Sequence, residues 1–206
     1  MTVHAREGHL VELVDPTGRP VGSTTVADAH QPPGQLHRAF SVLLVDERGR
    51  LLLQQRAAVK TRFPLRWANT CCGHPLPGED LSVAANRRLG EEVGVEPVAL
   101  TEIGVHTYQA TDPVTGRTEY EYDHVLLGSL DPQATLRPDP QEVAQLRWVP
   151  ARELQAGLAD EPDTYAPWLA GVADHLFAQS HLFPDGGGSA PGRQEYGSVT
   201  ERSGGR

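Results

Sequence analysis

The chain has 206 residues, a length that fits one domain with a sizeable core. Its formal net charge of −9 argues against nucleic acid as a partner, and no run approaches the roughly 18 apolar residues of a membrane span. Met1 to His9 lack an apolar signal core, and the two cysteines, Cys71 and Cys72, are adjacent rather than paired at a distance; both features lead us to expect a soluble cytoplasmic protein in a reducing compartment.

In chain order, His9 to Val14 alternates as a first strand, and Asp15-Pro16-Thr17-Gly18 turns it. Arg38 to Val45 is an apolar strand, which Asp46-Glu47-Arg48-Gly49 joins to Arg50–Arg56 as a predicted hairpin. Asp80 is placed to cap a helix from Leu81 to about Val93. Leu81, Ala85, Leu89 and Val93 form its buried stripe, with Arg88, Glu91 and Glu92 together away from it. Val98 to Tyr108 and Glu119 to Leu127 read as strands joined by a loop through Thr111 to Gly116, followed by a strand over Glu142–Val149. Helices are expected over Ala151–Leu158 and Tyr165–Gln179. The element order implies an α+β fold, a mixed sheet flanked by helices, within a single domain over 1–183. Residues 184–206 are rich in glycine and poor in apolar side chains, the composition of a disordered tail.

Several groups carry chemistry. The run Asn69-Thr70-Cys71-Cys72-Gly73-His74-Pro75 sets a thiol two residues from an imidazole. It opens a motif in which Gly73 and Glu79 lead to Arg87-Arg88-Leu89-Gly90-Glu91-Glu92-Val93-Gly94-Val95. Glutamates at its end suit a hard cation such as Mg²⁺ shared with phosphate oxygens; the bland alternative is a solvated face paired with Arg87 and Arg88. The Pro-Pro-Gly turn between His30 and His37 can bring both imidazoles to one point, with His74 as a third candidate. In a strand Glu119 and Glu121 share one face, roughly 7 Å apart. Three imidazoles and two carboxylates make an N/O site suited to Zn²⁺, Mn²⁺ or Mg²⁺ alike. Cys72, next to Gly73 and two residues before the candidate ligand His74, is the better reactive thiol, and Cys71 would face the other way, since neighbouring side chains of a strand face opposite ways. Arg56, Lys60 and Arg88 can clamp a diphosphate, with Arg62 and Arg66 also near. Trp168 is either a core anchor or a π face for a cation, and Tyr108 either packs or donates a hydroxyl.

From about Val11 to Trp168 these motifs resemble the type I isopentenyl-diphosphate isomerases of the Nudix superfamily. The markers are His30…Leu36-His37-Arg38-Ala39-Phe40-Ser41, Trp67 to Pro75, Tyr108 to Pro113, Glu119-Tyr120-Glu121 and Pro167-Trp168. The resemblance implies a Nudix α/β/α sandwich with a mixed β-sheet. It implies a Zn²⁺ or Mn²⁺ site on His30, His37, His74, Glu119 and Glu121, and Mg²⁺ held on the substrate diphosphate with help from Glu92. Cys72 and Glu121 match the catalytic pair, with Tyr108 beside the carboxylate, Trp168 facing the cation, and Arg56, Lys60 and Arg88 on the diphosphate. The implied partner is a small prenyl diphosphate, acted on by a monomer. The expected mechanism has Glu121, with Tyr108, protonate C4 of the alkene and a Cys72 thiolate take the C2 proton.

Two positions depart from the pattern. Arg88 stands where Nudix hydrolases carry an acid after the arginine, which favours isomerase over hydrolase. Val26 stands where many isomerases carry a lysine, which predicts weaker diphosphate binding with the chemistry retained. The competing readings are a Nudix pyrophosphohydrolase, with no need of Cys72 or the strand glutamates, and a non-catalytic Nudix ligand sensor.

Overall fold

A computed structural model describes residues 6–179. The ends of the expected 1–183 domain and the whole glycine-rich tail lie outside the described residues. The chain runs β1 (Leu10–Val14), β2 (Pro20–Thr25), α1 (Val26–Ala29), β3 (His37–Val45), β4 (Arg50–Arg56), β5 (Trp67–Ala68) and β6 (Cys71–Gly73). Then follow α2 (Leu81–Glu92), β7 (Leu100–Thr111), β8 (Thr118–Ser129), β9 (Val143–Pro150), α3 (Ala151–Asp160), a 3₁₀ turn (Pro162–Thr164) and α4 (Leu169–Phe177).

All nine strands belong to one mixed sheet. β3 is its centre: it runs parallel to β8 and antiparallel to β1, β4 and β6. Nearly every residue of β3 is buried, as a strand covered on both faces requires. Phe40, Val42 and Leu44 point to one face and pack with Ala85, Leu89 and Val93 of α2 and its end. Leu43 and Val45 point to the other and pack with Leu154 of α3 and Leu169, Val172 and Leu176 of α4. Helices on both faces make the expected α/β/α sandwich. Each fully buried leucine contributes roughly 2 kcal/mol of transfer free energy, so these two cores hold the scaffold of the site rigid.

The predicted β3–β4 hairpin is corrected in its pairing. The two strands meet only at Val45 and Leu51, and β4 instead pairs along its length with β9. The rest of the β3 edge that a hairpin would have used is taken by β6, at Phe40 to Val42, and by β1, at His37, while the parallel partner β8 fills the opposite edge with nine consecutive partners from His37↔Glu121 to Val45↔Ser129. The strands predicted over Val98–Tyr108 and Glu119–Leu127 extend to Leu100–Thr111 and Thr118–Ser129, forming a long antiparallel ribbon. The last helix starts at Leu169, not Tyr165, because Tyr165 and Ala166 are tied to Trp67 by a bridge and a backbone hydrogen bond. Asp80 caps α2 as predicted, accepting from the backbone N–H groups of Ser82 and Val83. The charged side of α2 is not a solvated face, however. Arg88 and Glu92 are buried, while Arg87 and Glu91 are exposed.

Candidate active site

The sheet register assembles the site. β3 and β8 pair His37 with Glu121, and β7 and β8 pair Glu121 with Tyr108. Imidazole, carboxylate and phenol thus stand in one row across three strands. Along β3, Ser41 faces Cys72 of β6. The strand alternation also separates the thiols: Cys71 is sealed into the α2 core, while Cys72 packs against the other core beside Tyr108.

His30 follows α1, and its Nδ1–H donates to the Val26 carbonyl at 2.7 Å, which turns Nε2 toward Glu119 Oε2 at 2.7 Å. The Pro-Pro-Gly turn then closes, with Gly34 at φ +85°, where a Cβ would sit 3.0 Å from the Thr118 methyl. His37 is consequently brought back beside His30, with ring centroids 4.7 Å apart. Its Nδ1–H donates to the Gln35 carbonyl at 2.7 Å. His74 Nε2 lies 2.9 Å from Glu121 Oε1.

Ligand atoms of His30, His37, His74 and Glu121 all lie within 4.8 Å of one another. His37 Nε2 is buried, has no hydrogen-bond partner, and stands 3.7 Å from Glu121. An orphaned imidazole nitrogen amid three N/O donors, each histidine oriented by a backbone carbonyl or carboxylate, fits a divalent cation. Glu119 stands at the edge of this group, shared between His30 and Arg62 Nε at 2.9 Å.

The electrostatics are strong because the groups are buried. Burial and the charge of Glu119 push the Glu121 carboxyl up, but the hydrogen bond from His74 and the His37 imidazole 3.7 Å away outweigh them and hold it at about 2. Burial drives His74 down to about 4, whereas His37, despite its burial, is raised by the neighbouring Glu121 carboxylate. Burial, with the nearby acids, raises the Tyr108 phenol well above its usual value, so it stays protonated and donates to Glu121 Oε2 at 2.7 Å. Burial likewise raises the Cys72 thiol to about 12. This differs from the thiolate expected from sequence: the protein as described holds a neutral Cys72 thiol beside an ionised Glu121. Sequence reasoning credited Cys72 with reactivity from its neighbours, but its depth in the sheet decides its charge.

The predicted cations all line the same cavity of about 730 Å³, with Cys72, His74, Tyr108, Glu119, Glu121 and Trp168. None is free. Lys60 bonds Glu142 at 2.5 Å, and Arg88 pairs with Glu92 and, at 2.6 Å, with Glu91. The Arg56 guanidinium donates to the carbonyls of Arg62 and Phe63 and lies 5.2 Å over the Trp168 ring. Glu92 also accepts from Gln54 Nε2 at 3.1 Å. Sequence reading missed Glu142, Asn69 and Asp123. Asp123 continues the Glu119–Glu121 alternation, which was a signal that could have found it. Asn69 lies in a turn outside the predicted strands, and Glu142, the first residue of the strand predicted over Glu142–Val149, stands just before β9.

Comparison with known proteins places this geometry in a family. Residues 35–170 match the NUDIX domain model. An isopentenyl-diphosphate Delta-isomerase of Nocardia farcinica is 63% identical, covering 82% of this chain and 97% of that one. The chain belongs to the isopentenyl-diphosphate Delta-isomerase family, within the NUDIX fold. A family member of the same name from Streptomyces coelicolor is 51% identical over 82% of this chain and 83% of its own. Among solved structures, DR0079 of Deinococcus radiodurans superposes with a TM-score of 0.65 at 20% identity, covering 81% of this chain and 98% of that one, and shows the shared fold. Family membership leaves the hydrolase and sensor readings without support.

Proposed function

We propose that the chain interconverts isopentenyl diphosphate and dimethylallyl diphosphate by protonation and deprotonation through a tertiary carbocation. The observation that carries this reading is one cavity in which Cys72 and the Glu121–Tyr108 pair meet His74, the half-buried member of a three-histidine cluster, and the cations Arg56, Lys60 and Arg88.

The alkene is a poor base, so a site for this reaction needs a positioned acid, a positioned base and a place for positive charge away from water. Glu121 and Cys72 are the pair, and Tyr108 keeps a proton at Glu121 Oε2. In the forward direction Glu121 gives a proton to C4 and Cys72 takes one from C2, breaking that C–H bond as the double bond moves. A carboxylate Glu121 and a protonated Cys72 are the states this turnover leaves behind, and they match the shifts of both groups. The reverse reaction starts from them directly. A new forward turnover requires the Cys72 proton to be lost and Glu121 to regain one. Trp168, edge-on to Phe63 and 5.9 Å from Tyr108, offers its π face to the cation. Arg56, Lys60 and Arg88 orient the diphosphate, Lys60 and Arg88 exchanging part of their carboxylate pairing for phosphate oxygens and Arg56 part of its bonding to the Arg62 and Phe63 carbonyls.

His30, His37, His74, Glu119 and Glu121 would hold Mn²⁺ or Zn²⁺, and Glu92 would help hold Mg²⁺ on the diphosphate. These cations supply charge withdrawal, which makes a Glu121 proton more acidic and offsets the diphosphate. One chain provides every group, so a monomer acting in the cytoplasm suffices.

Proton NMR of the purified protein with isopentenyl diphosphate and Mg²⁺ in D₂O tests the reading. Dimethylallyl diphosphate with deuterium in the new methyl is expected. Unchanged substrate, or release of phosphate instead, would overturn it.

A further inference from the structure

Behind the cavity, one side-chain amide joins the two groups on which the proposed chemistry depends. Asn69, in the turn between β5 and β6, is fully buried. Its Nδ2 donates to the carbonyls of Cys71 at 2.8 Å and Val42 at 3.2 Å. Both hydrogens of the amide are thereby committed, and its orientation is fixed, because carbonyl oxygens can only accept. Oδ1 must then face the other way. There it accepts from Trp168 Nε1 at 3.0 Å and from Cys72 Sγ at 3.1 Å. The second neighbour of the thiol, Ser41 Oγ at 3.6 Å, is a weaker contact, since that hydroxyl donates to Asp123 Oδ2 at 2.7 Å.

We propose that Asn69 is a positioning residue that sets Cys72 and Trp168 in register with each other through a single shared acceptor. The inference rests on the assignment of Cys72 and Trp168 above. Trp168 comes from the start of α4, nearly a hundred residues from Cys72 in sequence, and among the described residues no strand register links them. The single N–H of the indole donates to Asn69. The oxygen also orders the thiol proton, pointing S–H along β6 toward the amide. When Cys72 gives up that proton, Oδ1 loses one donor and keeps the other, so the indole stays anchored while the sulfur turns to the substrate. A displacement of either group by about 1 Å costs on the order of a hundredfold in rate.

The test uses the full chain and three variants. Asn69→Ala is expected to lower kcat about a hundredfold while KM for isopentenyl diphosphate changes less than about twofold, because the diphosphate cations are untouched. Asn69→Asp keeps an acceptor oxygen, and burial against the Cys71 and Val42 carbonyls keeps its other oxygen protonated as a donor, so it is expected to recover at least about tenfold of that loss. The Trp168 indole N–H resonance, assigned by its disappearance in Trp168→Phe, is expected to shift in Asn69→Ala and to hold its position in Asn69→Asp. Equal impairment of the Ala and Asp variants with native melting curves, or an Asn69→Ala protein of normal kcat, would overturn the proposal. If the Asn69 variants do not fold, the wild-type protein decides. Its Trp168 indole proton is expected to resist exchange with D₂O for hours and to shift in Cys72→Ala; exchange within seconds overturns the proposal. A wild-type protein inert on isopentenyl diphosphate, with the indole proton protected, would instead bring down the isomerase reading and the catalytic sense of Asn69 with it.

Discussion

At the scale of single residues, the two thiols make the sharpest contrast. They are neighbours in sequence, yet Cys71 is sealed in the α2 core and Cys72 lines the cavity. Cys72→Ala and Glu121→Gln are each expected to lower kcat by about a thousandfold or more with the fold intact, as removal of a positioned acid or base does. Cys71→Ala is expected to keep kcat within about threefold and to lose about 1 kcal/mol of stability to the small void it leaves. A folded but inactive Cys71→Ala protein would reassign the thiol. The charge state has its own test. With the thiol raised to about 12 by burial, Cys72 stays protonated through the pH range in which an ordinary thiol ionises near 9. Alkylation by iodoacetamide is therefore expected to remain slow at pH 9 and to rise only toward pH 12. A rate that rises with a midpoint near 9 would show a sulfur more open to water than the sheet implies.

Among the elements, α2 shows what periodicity can and cannot tell. Its cap at Asp80 and its stripe of Ala85, Leu89 and Val93 were legible because both follow from local backbone geometry. The burial of Arg88 and Glu92 was not. It depends on β9 and the segment before it bringing Glu142 against the helix, 3.7 Å from Arg88, a contact between distant parts of the chain. The same division holds for the strands. Alternation marked β3, β7 and β8, but the parallel pairing of β3 with β8, which puts His37 beside Glu121, is a choice of partner that no single strand encodes. The Nudix-type motif and its isomerase markers supplied the site membership that alternation lacked; Asn69 lay inside a quoted motif without a role, because its bonds become visible only in three dimensions. The cap itself is expected to act on stability alone. Asp80→Ala removes two backbone hydrogen bonds and should lower Tm by roughly 2–4 °C for a domain of this size. Its kcat should stay within about twofold, since the functional residues sit at the far end of the helix. Thermal melts and steady-state assays on the same preparation separate the two effects.

For the whole molecule, two tests ask what completes it. Every assigned group lies between His30 and Trp168, and the Nocardia relative is matched over 97% of its length by 82% of this chain. A chain ending at Phe183 is therefore expected to keep kcat within about twofold of the full protein; a folded, inactive truncation would give residues 184–206 a part in the reaction. The cation is a different matter, because the histidine cluster joins α1, β3, the β6 exit and β8. A bound ion ties these elements together, and at a hundred times its Kd it adds about 2.7 kcal/mol, worth roughly 5–10 °C in Tm here. Mn²⁺ or Zn²⁺ added to chelator-stripped protein at pH 7.5 should produce that rise. The pH dependence follows from the two imidazoles. His74 is depressed to about 4 and stays neutral at pH 5.5, but His37 is raised above its usual 6.5 by Glu121 and is protonated there. An ion must displace that proton, so affinity falls as pH drops through the His37 value. The shift in Tm should accordingly shrink at pH 5.5 and grow there only with the logarithm of ion concentration. A rise of equal size at both pH values would mean that His37 Nε2 is not a ligand, and that its orphaned state in the buried row with Glu121 has another cause.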